Sequence, residues 1–92
     1  MNEETKYVIV KDIFGENAYI FSSVKSHGTI KGENAIAAGF VSFRKNDEGM
    51  IEVFCYGRSF SCDLDNRGID DAKLICRALN PIHNKIFIPV EK

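Results

Sequence analysis

The first two-thirds of the chain carries the short-period pattern of strands. KYVIVKDI (6–13) is rich in β-branched residues and predicts a strand. FGEN (14–17) predicts a turn, and AYIFSSV (18–24) the returning strand of a hairpin. KSHGTIKGEN (25–34), with two glycines and much polarity, reads as a loop. AIAAGFVSFR (35–44) is apolar on both alternations and predicts a central strand. Its small residues Ala35, Ala37, Ala38 and Gly39 imply a close packing partner. KNDEG (45–49) is a turn, and MIEVFCY (50–56) the strand after it. In GRSFSCDL (57–64), Phe60, Cys62 and Leu64 alternate with Ser59, Ser61 and Asp63, which predicts a half-buried strand. Gly57-Arg58 would be the hairpin turn leading into it, in preference to a bulge in one longer strand.

The period changes once. In IDDAKLICRAL (69–79), Ile69, Ala72, Ile75, Cys76 and Leu79 share one face at about 100° per residue, with Asp70, Lys73 and Arg77 opposite. Asn80-Pro81 ends this helix, because the residue before a proline avoids helical geometry. KIFIPVE (85–91) predicts a last strand, placed at an edge because Pro89 has no N–H to donate. The expected fold is therefore α+β: a mainly antiparallel sheet of five to six strands with one helix on one face, in the order β-β-β-β-β-α-β.

A helix of that length spans about 16 Å, whereas five or six strands at ~4.8 Å spacing are wider than 20 Å. One helix cannot cover a whole sheet face. The strands around residues 8–10, 36–43 and 51–55 are nonetheless apolar on both faces. Either the sheet curls or a second subunit covers it, and a homodimer is the favoured expectation. Leu74, off the helix's main stripe, points to the same partner surface.

Composition narrows the function more than the fold. Ninety-two residues predict one domain, frayed at about 1–5 and 91–92. A net charge of −1 with scattered Lys and Arg disfavours nucleic acid as the main ligand. A polar, acidic start and the lack of a long apolar run predict a cytoplasmic protein with no membrane partner. Three cysteines without a CxxC pair agree with that compartment.

The densest candidate chemistry is CDLDNRGIDDAKLICRAL (62–79). Asp63, Asp65 and Gly68 fit the first, third and sixth positions of a calcium loop. Arg67 and Leu74 stand where that loop needs an oxygen ligand and a bidentate Glu. Turn chemistry at 65–68, a Gly68 N-cap and acids at the positive end of the helix account for the same residues without a metal. A Cys–His nucleophile would need Cys55, Cys62 or Cys76 beside His27 or His83, and the cysteines sit at inward positions. No zinc spacing and no phosphate-loop motif is present, so no cofactor is expected.

The leading expectation is a small non-enzymatic binding module acting as a homodimer, with a protein or small-molecule partner. Its candidate contacts are His27, Arg58, Arg67, Leu74 and His83. The alternative is a small enzyme or small-molecule-binding domain that uses polar groups around 25–34, 58–71 and 83. A weaker one is an accessory protein that binds nucleic acid, or a nucleic-acid enzyme, through its acidic helix start.

Overall fold

The structure, a computed structural model, describes residues 5–22, 34–60, 63–80 and 85–91. Its elements are β1 (Thr5–Asp12), β2 (Gly15–Ser22), β3 (Ala35–Lys45), β4 (Ile51–Tyr56), β5 (Arg58–Ser59), β6 (Leu64–Asp65), α1 (Ile69–Leu79) and β7 (Phe87–Pro89). Five strands form one curled sheet in the order β2-β1-β3-β4-β7, and β5 and β6 form a separate two-stranded hairpin. The fold is α+β, as the pattern predicts. All pairings in the large sheet are antiparallel except β4 with β7, which run parallel because α1 carries the chain across between them.

Local chemistry explains the turns. The β1–β2 turn is the pair Ile13-Phe14, not FGEN. The Asp12 carboxylate accepts the Phe14 N–H (2.8 Å) and a side-chain N–H of Asn17 (3.1 Å), and so closes the chain two residues earlier than Gly15 and Asn17 suggest. At 45–49 the expected turn forms, with Asn46 Oδ1 accepting the N–H groups of Glu48 and Met50. The segment 57–64 departs most from expectation. Gly57 takes φ 72° and turns the chain out of the large sheet. It neither closes a hairpin on β4 nor bulges a longer strand, because β5 pairs with β6. Phe60, expected inside, is 85% exposed. Cys62 lies outside the described residues.

α1 has the predicted bounds, with Gly68 at its N-cap and Asp70 and Asp71 in its first turn. Ala72, Ile75 and Cys76 bury against Tyr7 and Ile9 of β1, Ala37 and Val41 of β3, and Val53 and Cys55 of β4. The β1–β3 register slips between Ile9 and Val10, leaving Ile36 as an extra residue that also packs on this core. On the sheet face away from α1, Val8 and Ala38 are fully buried too. There Phe40, Tyr56 and Phe54 stack in a row, with ring centroids 5.7 and 5.6 Å apart.

Two asparagines anchor the ends of the crossover. Asn66 accepts the Gly68 N–H (2.8 Å) and donates to the Gly57 carbonyl (2.7 Å), joining the exit of β4 to the start of α1. The Asn80 side chain exchanges two hydrogen bonds with the Phe87 backbone, at 2.8 and 3.2 Å, and so holds β7 beside the helix end. β7 occupies an edge of the sheet, as Pro89 predicts.

The close approach implied by the small residues of β3 occurs at Gly39. A Cβ there would lie 2.7 Å from the Tyr56 carbonyl oxygen and 3.2 Å from Asn66 Cβ. Backbone must move to admit it, so Gly39→Ala is expected to destabilise by about 1–3 kcal/mol. Urea unfolding checks this: a midpoint equal to that of the parent would mean that β3 does not need the gap.

Candidate functional site

The polar centre of the molecule lies where α1 begins over β1 and β2. Asp71 is 0% exposed. Its Oδ2 accepts the Tyr7 hydroxyl at 2.6 Å and the Arg67 backbone N–H at 2.8 Å, and its Oδ1 accepts Arg67 Nε at 2.7 Å. The Arg67 guanidinium then reaches Glu16 of β2, with Nη2 donating to Oε1 at 2.9 Å. Four residues from β1, β2, the turn and the helix thus form one chain of contacts. A buried carboxylate needs such partners, since burying a charge without them costs several kcal/mol.

The surroundings set the titration of these groups. Burial and the bond to Asp71 push the Tyr7 phenol well above its ordinary value. The Arg67 hydrogen bond holds the Glu16 carboxyl below the usual range, helped by the charges of Arg67, Lys11 and Arg77. Partial burial works against the Arg67 charge, but its bonds to Glu16 and Asp71 more than offset this and raise its pKa. Burial, with the Asp71 charge adding to it, pushes the Cys55 thiol up to about 12, and burial alone takes Cys76 to about 11. Both thiols stay protonated near neutral pH, which is poor preparation for a nucleophile.

Outside this network, the helix and the sheet edge enclose an open trough. Two adjoining hollows of ≈ 530 and ≈ 540 Å³ share Glu16, Leu74 and Arg77. The first continues over Arg67, Asp70 and Lys73, and the second over Ala18, Ala78 and Phe14. Helical spacing explains the wall: residues 70, 73, 74, 77 and 78 fall on one side of α1 at three- and four-residue steps. Phe14, at the hairpin tip with Ile13, is 90% exposed. The trough joins an apolar floor of Leu74 and Ala78 to the cations Arg67, Lys73 and Arg77. A smaller hollow of ≈ 290 Å³ opens where β4 ends and α1 begins. Asn66 already takes up the Gly57 carbonyl and the Gly68 N–H there.

Of the residues singled out in the sequence, Arg67 and Leu74 come together in the trough. Arg58 is elsewhere: its guanidinium pairs with Asp63 at 2.5 Å and Asp65 at 3.7 Å and lies 5.3 Å from the centroid of the Phe60 ring. The two acids that suggest a calcium loop are thus engaged by an arginine. His27 and His83 lie outside the described residues, as does most of the loop 25–34. Glu16, Lys73, Arg77 and Phe14 escape sequence reasoning, since each is an ordinary surface residue until the hairpin is laid beside the helix. Among the described residues, no group of three His, Cys, Asp or Glu could hold a metal ion, and no helix is long and apolar enough to cross a membrane. A scan against protein-family models and searches of curated proteins and of solved structures return no match, so the chemistry of the site is the ground for a functional reading.

Proposed function

We propose that the protein is a small non-enzymatic binding module, which holds a partner chain in the trough between β2 and α1 and self-associates through the sheet face away from the helix. The observation that carries the first part is the trough itself. Apolar groups of Phe14, Leu74 and Ala78 adjoin Lys73 and Arg77, and a concave strip that mixes apolar and charged side chains is the composition of a recognition surface. The polar groups best placed for chemistry are committed to one another within the Tyr7–Asp71–Arg67–Glu16 chain. The second part draws support from the stacked Phe40–Tyr56–Phe54 row and from Tyr19, which is on the same face and 51% exposed.

Two measurements test the reading. Light scattering is expected to give a dimer at micromolar concentrations, with Tyr19→Glu shifting it to monomer. A 10.4 kDa species across a wide concentration range would remove the homodimer. For the trough, the ¹⁵N-labelled protein is titrated with acidic, neutral and basic peptides of β-prone sequence. At least one class is expected to move the signals of Lys73, Leu74 and Arg77. If none does, the trough is not a binding surface for extended chains.

A further inference from the structure

The trough has a second wall besides the helix, and that wall is backbone. β2 is an edge strand, and its pairing with β1 shows which of its groups face outward. Lys11 donates its N–H to the Asn34 carbonyl, on the β3 side of β1, at 3.0 Å. Lys11 and its partner Glu16 are therefore a non-hydrogen-bonded pair of the β1–β2 ladder. In an antiparallel ladder such pairs alternate with bonded ones. Glu16, Ala18 and Ile20 must then direct N–H and C=O groups away from β1, and no partner for these groups occurs among the described residues.

The two edges of the sheet differ. β7 is three residues long and contains Pro89, both features that blunt an edge. β2 is eight residues long, keeps an unbroken register with β1, and contains neither lysine nor proline. It is thus the edge able to accept another strand. A strand added there would run beneath the outer side of α1, with alternate side chains rising toward Leu74 and Ala78 and toward Lys73 and Arg77.

Charge selects the occupant. The trough's lining carries Arg67, Lys73 and Arg77 against Glu16 and Asp70, a local excess of positive charge on a chain whose total is −1. Neither Lys73 nor Arg77 has an ion-pair partner among the described residues. A second copy of β2 would bring a second set of these cations against the first, whereas carboxylates would meet them favourably. We infer that the trough takes an extended acidic segment of a partner protein, added as a sixth strand along β2. This deepens the trough reading above and depends on it.

The probe is a nine-residue peptide in which glutamate alternates with valine and threonine, with lysine and serine versions as controls. On titration the amide signals of Glu16, Ala18 and Ile20 are expected to shift and to exchange more slowly with solvent. N-methylation of every second residue should weaken binding at least tenfold in one phase of the alternation, which removes the donors facing β2, and leave it unchanged in the other. The double variant Lys73→Glu/Arg77→Glu changes exposed side chains only, and should weaken the glutamate peptide at least tenfold and favour the lysine one. If Leu74 and Arg77 signals move while both N-methylated peptides bind like the parent, the trough stands and strand addition falls. Equal affinity for glutamate, serine and lysine peptides overturns the acidic preference. Silence from all three overturns the trough reading itself.

Discussion

Asp71→Ala will bring the protein to the edge of unfolding. The substitution removes the acceptor of three hydrogen bonds and leaves the Tyr7 hydroxyl, itself fully buried, with only the weakly polar Cys55 thiol beside it. It also leaves the Arg67 guanidinium tied to Glu16 alone. Breaking a fully buried charge pair costs about 3–5 kcal/mol; here Arg67 is partly exposed and keeps Glu16, so the low end, about 3 kcal/mol, is expected. A domain of this size has only about 5–15 kcal/mol in total. Tyr7→Phe alone keeps the carboxylate paired with Arg67 and should cost about 1 kcal/mol. In the Asp71→Ala background the same change is expected to cost less than it does alone, because the hydroxyl has already lost its carboxylate and keeps only the Cys55 thiol. Urea unfolding of the four proteins gives this cycle. A loss below about 1 kcal/mol for Asp71→Ala would show that the network is dispensable.

The second large effect is alkaline lability. A thiol in the unfolded chain ionises near 9, whereas Cys76 and Cys55 in the folded protein hold their protons to about 11 and about 12. The unfolded state therefore releases protons first. The contribution of these groups is complete below pH 9 and is lost as pH rises toward their folded values. Each thiol costs about 1.4 kcal/mol per pH unit across its window. Tyr7 joins above about 10, the ordinary range of a phenol, because its folded pKa is also raised. The melting temperature should hold to about pH 8.5 and then fall steeply, and Cys76→Ala should flatten the fall between 9 and 11. A melting temperature unchanged from pH 8.5 to 10.5 would contradict the burial of these groups. On the acid side Glu16 acts in the opposite sense. Its depressed pKa makes the tie to Arg67 complete above the ordinary carboxylate range, and that tie is lost as pH falls through the folded value.

What the sequence discloses depends on how local its cause is. The bounds of α1 follow from a stripe at helical period, a glycine before it and Asn80-Pro81 after it. The 45–49 turn and the edge position of β7 rest on single residues with fixed backbone properties. The β1–β2 turn is missed because Asp12 closes it with its side chain, while Gly15 and Asn17 give a stronger but misplaced signal. GRSFSCDL has the alternation of a strand, yet one glycine at positive φ sends it off the sheet. Asp71 reads as a solvated acid of the first helical turn. Its burial depends on Tyr7, 64 residues away, and no local pattern carries that information. Arg67 and Leu74 are conspicuous as residues out of place in a pattern, but the wall opposite them belongs to a hairpin some fifty residues earlier.

The pairing registers also bear on what the protein could be joined to. Thr5 lies across from Val41, and Val41 from Cys55. β7 runs alongside β4 with Val53 opposite Pro89, so the chain leaves the sheet near the level of Cys55. Thr5 and Glu91 therefore emerge at one end of the sheet, three strand spacings or about 14 Å apart. Ile13 and Phe14 mark the opposite end of β1 and β2. A neighbouring domain fused before Thr5 or after Glu91 would stand at the far end from the hairpin tip. The module could thus be carried within a larger polypeptide with its trough still open to a partner.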